Sequence, residues 1–336
     1  MAGTTRLLPG LALAAALALL AWSLGRALPL LGGAVLAIVL GVLLRAAWTP
    51  DAAFAPGVRF AGKRVLQASI VLLGFGLDLG QVARTGMESL GVTVATLLFA
   101  FAAAWALGRA LRVPVKLAAL VGVGTAICGG SAIAAVAPIL RPDEHDTAFA
   151  ISTIFLFNLV AVIVFPPLGH LMGMSDAQFG LWAGTAINDT SSVVAAGYSY
   201  SHAAGDYATI VKLTRATLII PVCLVLAFVV AAREKRKHAE AGSTGHFSLA
   251  SIFPWFILWF LVASAVRTAG LIPVAIQPSI HLLAEFMIIV ALTAIGLSAD
   301  LRKMISSGAR PILLGLGVWI AVAVSSLLVQ WVIGQL

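Results

Sequence analysis

Two stretches of this sequence carry polar chemistry inside otherwise apolar chain. The first is Gly124-Thr125-Ala126-Ile127-Cys128-Gly129-Gly130-Ser131-Ala132-Ile133. Sixty residues on, its opening returns as Gly184-Thr185-Ala186-Ile187-Asn188-Asp189-Thr190-Ser191-Ser192. Glycine-rich backbone in lipid can unwind and bare its N–H and C=O groups, and it survives only where protein or a wet cavity covers it. The broken ends then present partial charges suited to ions. Hydroxyls on Thr125, Ser131, Thr185, Thr190, Ser191 and Ser192 can donate to an anion or coordinate a cation, while Cys128, Gly129 and Gly130 offer bare backbone. Close helix packing through small residues is the competing explanation, and it suffices for Gly122, Gly124 and Ala126.

Asp189 is the sharpest single residue, because a carboxyl inside a span is costly unless paired, neutralised or hydrated. It is a candidate proton carrier, or with Asn188 a sodium ligand; the plainer role is an N-cap for the residues that follow. Lys212 and Arg215, three apart on one helix face, would attract an anion if they line a cavity, and Arg suits oxyanions. Snorkelling to the interface would explain Lys212 without function. His281 and Glu285 stand at i,i+4, as a relay or an ion pair. Asn158 reads as a bond to a neighbouring helix, and Asp143–Asp146 as a solvated loop rather than a metal site. Ser131 beside a histidine would make an intramembrane serine hydrolase, but His170, His202 and His281 all fall near span ends, too far for that role.

The elements that must position these residues are membrane helices. Of 336 residues, 61% are apolar and 10% charged, far below the roughly 25% charge of a soluble domain. Mean hydropathy is +1.06. The chain therefore reads as an all-α membrane protein of 10 to 11 transmembrane helices, forming one polytopic domain. Eleven apolar runs appear, at 7–25, 27–44, 65–80, 88–108, 117–140, 147–169, 178–200, 207–232, 250–270, 279–299 and 311–333. The first is kept as a helix rather than a signal peptide. Most of the 21 Lys and Arg then fall on the side of the N-terminus, with Arg26, Arg84, Arg141, Lys212, Arg215 and Arg267 opposite. That bias places the N-terminus in the cytoplasm and the C-terminus in the periplasm, and explains the net charge of +8 without nucleic acid. Residues 233–248 read as a short cytoplasmic loop. Cys128 and Cys223 both lie in predicted spans, which argues against a disulfide framework. No Gly-x4-Gly-Lys-Ser/Thr loop is present, so no ATP hydrolysis and no cofactor are expected.

An internal match is also readable: Gly74-Phe75-Gly76-Leu77-Asp78-Leu79 up to Gly86 against Gly296-Leu297-Ser298-Ala299-Asp300-Leu301 up to Gly308. These spans run oppositely in the predicted topology, the pattern of an inverted-repeat transporter with discontinuous helices at the midplane.

The two Gly-Thr-Ala-Ile motifs, the run from Ala208 through Lys212 to Arg215, Leu72–Phe75 and Ala294–Leu297 together resemble the sulfate exporter family of bacterial inner-membrane proteins. The resemblance spans nearly the whole chain. It implies a bundle related to bile-acid symporters and cation/proton antiporters, with a helix panel beside a core of broken, crossing helices. Glu285 and Gly76 depart from that pattern. The expectation is a secondary active transporter in the inner membrane, not an enzyme. It would move a small anion such as sulfate or an organic sulfonate, coupled to protons or sodium, with the lipid bilayer as its surroundings and homo-oligomerisation left open. The alternative is a cation/proton antiporter working through Asn188 and Asp189. One conflict stands: the two motif spans run in the same direction, whereas crossing helices of inverted repeats run oppositely. Either one stretch is re-entrant, or a span is miscounted, or the likeness is local convergence.

Overall fold

The structure, a computed structural model, describes residues 6–27, 32–48, 51–237, 255–299 and 309–336. Every regular element among them is helical. They are α1 (Leu8–Ala27), α2 (Gly32–Ala47), α3 (Ala55–Phe60), α4 (Leu66–Gly74), α5 (Leu79–Ala110), α6 (Val115–Ala126), α7 (Gly130–Leu140) and α8 (Glu144–Leu171). There follow α9 (Asp176–Ala186), α10 (Thr190–Tyr200), α11 (His202–Thr217), α12 (Ile219–Lys237), α13 (Trp255–Thr268), α14 (Gln277–Ser298) and α15 (Ala309–Val332). A π-helical turn, Ala61–Val65, joins α3 to α4. Helix is forced by composition, since a chain this apolar sits where no water can satisfy an open backbone. Six segments are long and apolar enough to cross a bilayer: Leu8–Arg26, Leu79–Ala110, Asp146–Leu171, His202–Val230, Gln277–Ser298 and Ala309–Val332. Large side chains such as Leu98, Phe99, Trp105, Val225, Phe228 and Leu328 point outward, as a lipid-facing surface requires. This is an all-α, multi-pass membrane protein, as expected.

Contacts give each segment its direction. The start of α1 lies against α3 at Gly10 and Gly57, and α2 runs along α14, where a Cβ on Gly41 would meet Gly296 at 2.9 Å. Gly74 at the end of α4 lies on Phe260 of α13, and the Leu79 amide donates to Thr268 Oγ1 at 2.8 Å. These pairings collect Arg45, Arg59, Lys63, Arg64, Arg109, Arg112, Lys116, Arg141 and Arg310 at one face, hereafter the basic face. Among the described residues the opposite face holds Arg26, Arg84 and Arg267.

Two of the eleven expected spans do not cross. Residues 117–140 fold back on themselves: Lys116 Nζ donates to the Arg141 carbonyl at 2.6 Å, so α7 ends where α6 begins. Residues 178–200 do the same, because Ser201 Oγ donates to Asp176 Oδ1 at 2.6 Å and Tyr200 Oη to the Met174 carbonyl. Both are re-entrant hairpins, one entering from the basic face and one from the other. That removes the conflict of direction. Arg141 and the loop behind it accordingly lie on the basic face, not opposite it as charge counting with eleven spans had implied. The expected loop at 233–248 is also corrected in part, since α12 continues to Lys237; residues 238–248 lie outside the described residues.

The contact pattern has the symmetry of an inverted repeat. α4 packs on α13 as α14 packs on α2, α7 on α12 as α10 on α8, and α5 runs against α15. Gly74 and Gly296, matched in sequence, occupy equivalent crossings: a Cβ on either would run into the backbone of the facing helix. Asp78 caps α5, accepting from the Gly80 and Gln81 amides at 2.8 and 3.3 Å. Its counterpart Asp300, and the match as far as Gly308, lie outside the described residues.

Candidate functional site

The first hairpin turns at Ile127-Cys128-Gly129. Gly129 has φ +67° and ψ −131°, a conformation open to glycine, and its amide reaches back to the Gly124 carbonyl at 2.8 Å. A Cβ there would sit 3.3 Å from Ile154 of α8 and 3.5 Å from Asp189, so the two hairpin tips touch. The second hairpin is set by a capping box at Ser175 and Gln178 and by Tyr200 stacked on Phe179, ring centroids 4.0 Å apart. Its first arm lies so close along α11 that a Cβ on Gly184 would be 2.7 Å from Val211. It turns at Ile187-Asn188-Asp189, where Asp189 caps α10 by accepting from the Ser191 amide at 3.0 Å and from the Ser191 hydroxyl.

Each tip contains the C-terminal end of one half-helix and the N-terminal end of the next. C-terminal carbonyls lack intrahelical donors and carry partial negative charge. Lys212 and Arg215, both fully buried, meet that need. Lys212 Nζ donates to the Ile127 carbonyl at 2.7 Å and the Ile187 carbonyl at 2.9 Å, one from each tip. Arg215 Nε donates to Ala126 O at 2.6 Å, Nη2 to Thr125 O at 2.8 Å, and Nη1 to Thr185 O. This corrects the expectation that the pair lines an open cavity, and Lys212 does not snorkel. The cations clamp the two hairpins together at their carbonyl ends. What the tips retain for a ligand is the opposite set of groups: helix N-termini at Gly130 and Thr190, and hydroxyls.

Several polar groups here have no partner. Asn188 is 1% exposed, yet neither its Oδ1 nor its Nδ2 is hydrogen-bonded. Asn158 on α8 accepts the Asp189 amide at 3.3 Å but leaves its Nδ2 unpaired, and Thr125 Oγ1 is likewise buried and unpaired. An orphaned buried polar group costs about 1–3 kcal/mol, so two amides and a hydroxyl left unpaired in one region mark a position where a ligand, ion or water completes the bonding. A crevice of about 440 Å³ leads to this place from the basic face, between α2, α3 and α14 on one side and α8 and α10 on the other. Arg59, Lys63 and Ser298 stand at its mouth, and Phe155, Asn158 and Ser192 line its deeper part.

The sequence-predicted residues divide accordingly. Asn188, Asp189, Thr190, Ser191, Ser192, Cys128, Gly129 and Gly130 are brought together at the tips. Thr185 is not available to a ligand, because its hydroxyl is bonded to the Leu181 carbonyl and to Ser326 Oγ at 2.6 and 2.7 Å. Ser131 sits exposed at the first turn of α7. His170 stacks on Tyr200, while His202 and His281 meet Glu285 at the face opposite the basic one, which leaves them no role as a base for Ser131. Sequence reasoning undervalued Asn158 and missed Arg59 and Lys63 as crevice residues. A signal for Asn158 existed: it and Asn188 are the chain's only asparagines.

Such a molecule is a multi-pass helical membrane protein organised around two opposed re-entrant hairpins. The chain belongs to the family described as conserved hypothetical protein 698, whose model matches residues 9–315. It is 44% identical to a UPF0324 membrane protein of Streptococcus pyogenes serotype M6, covering 98% of both chains. A UPF0324 membrane protein of Fusobacterium nucleatum is 41% identical over 97% of this chain and 98% of its own. One from Clostridium tetani is 39% identical over 97% of each.

Proposed function

We propose that this chain is a secondary active transporter that carries a small anion, such as sulfate or an organic sulfonate, across the bacterial inner membrane by alternating access. The observation that supports this most is the clamp. With the C-terminal carbonyls of both tips taken up by Lys212 and Arg215, the site offers a ligand N–H donors and hydroxyls, which suit an oxyanion. The crevice supports it too, because its mouth carries Arg59 and Lys63 and its volume fits a small solute. In this reading the basic face is cytoplasmic, the structure is open to the cytoplasm, and Asp189 couples transport to protons or sodium. Arg215 acts on the anion through its charge and its hold on the tips.

The unpaired Asn188 Oδ1 beside Asp189 favours a second reading, a cation/proton antiporter with sodium held by those two residues. Arg59→Glu/Lys63→Glu separates the two, since both side chains line the crevice mouth and neither holds the hairpins. Reconstituted into proteoliposomes, the double variant should take up anion several-fold more slowly than the parent, through reversed steering at the mouth. Unchanged anion flux with faster sodium flux would favour the antiporter instead.

A further inference from the structure

Away from the hairpins, the face opposite the basic one carries a compact group of ligating side chains. His202 is the first residue of α11, and His281 and Glu285 share one side of α14 at i,i+4 spacing. His202 Nδ1 is 2.8 Å and His281 Nε2 is 3.3 Å from Glu285 Oε1, and the three ligand atoms lie within 4.8 Å of one another. Both are ion-pair contacts, and no donor is well aligned on the buried Glu285 Oε1. Three groups able to ligate a metal thus converge on one point.

We propose that His202, His281 and Glu285 form a binding site for a divalent transition-metal ion of the zinc class. A tetrahedral zinc with ligands at about 2.0–2.2 Å holds them roughly 3.3–3.6 Å apart; the His281–Glu285 separation matches this, and the His202–Glu285 contact at 2.8 Å would open slightly to reach it. Two imidazoles and a carboxylate select zinc, cobalt or nickel over magnesium and calcium, which want oxygen ligands. A cavity of about 200 Å³ touching His202 and Glu285 leaves room for a fourth ligand from solvent. Entry is open, with the His202 side chain 71% exposed. Asp206, which accepts from the Tyr198 hydroxyl, lies four residues beyond His202 on the same helix and adds negative charge to this side of the site. The site joins two parts of the fold. His202 belongs to the helix that clamps the hairpins, and Glu285 to the helix that flanks α1, α2 and α4. A bound metal would tie these parts together across the face where the crevice is closed.

The test is zinc titration of the tag-free, metal-stripped protein in detergent, read by calorimetry. The expected result is about one zinc per chain, undiminished by millimolar magnesium. His202→Ala/His281→Ala should bind at least about tenfold more weakly, since even outer-shell losses cost that much. His170→Ala, a histidine stacked on Tyr200 elsewhere on this face, should leave binding unchanged. Thermal unfolding without metal should be alike for parent and double variant, showing that the fold is kept. A double variant that binds zinc as tightly as the parent, or a parent that binds none, overturns the site. The readout is metal binding, so it stands apart from any transport assay.

Discussion

Arg215→Met should be the most destabilising single substitution at the hairpin tips. Methionine fills similar apolar volume but donates nothing, and it leaves Thr125 O, Ala126 O and Thr185 O without the donors they have now. Those carbonyls end half-helices in a region without bulk water, and hydrogen bonds to a charged group are worth about 1.5–3 kcal/mol each. With three lost together the expected destabilisation is at least about 3 kcal/mol, seen as a lowered unfolding temperature in detergent. Arg215→Lys should recover only part of it, since an ammonium on a flexible stem does not reproduce the planar fork that reaches both tips. Lys116→Ala removes an exposed bond at the hairpin's base and should stay within about 0.5 kcal/mol of the parent. Arg215→Met unfolding at the parent's temperature would mean that the clamp is not what joins the hairpins.

At Asp189 the largest effect should fall on coupling rather than on stability. Asp189 accepts the Ser191 amide as an N-cap, a role asparagine fills equally well. Asp189→Asn should therefore unfold like the parent, while Asp189→Ala loses the cap and about 1 kcal/mol. If the carboxylate carries the coupling charge, Asp189→Asn still exchanges anion across the membrane in counterflow but no longer accumulates it against a gradient. Gradient-driven accumulation at the parent's rate by Asp189→Asn would reduce the residue to a cap. The comparison is decisive because the two variants share the loss of charge and differ in the cap.

Much of the fold was legible in the residues. The apolar runs, their helical form and the bias of Arg and Lys to one face follow from the bilayer as solvent, and they hold. The two hairpins were not legible, because a run of about 24 apolar residues interrupted by glycine is as long as a transmembrane span. What separates the two cases is tertiary: Lys116 reaching Arg141, and Ser201 reaching Asp176. The same blindness misplaced Arg141, whose side depends on whether the preceding segment crosses.

At the site, residue type and spacing singled out residues that the fold gathers at the two hairpin tips, but gave some of them other partners than they have. Lys212 and Arg215 read as cations awaiting an anion, whereas the nearest negative charge is the helices' own carbonyl ends. Broken helices imply such ends, and two buried cations are a natural answer to them. Thr185 looked like a ligand for the same reason that Ser192 did; only the proximity of Ser326 tells them apart. Arg59 and Lys63 drew no notice, since basic residues at a helix end are what the bilayer already explains.

The claim that anions pass by way of the hairpin tips is tested most directly by flux in proteoliposomes of the parent protein. Radiolabelled sulfate, a small organic sulfonate and sodium would be compared under imposed proton and sodium gradients. The expected result is saturable, gradient-sensitive movement of at least one anion. Gradient-driven sodium flux with no anion movement would contradict it.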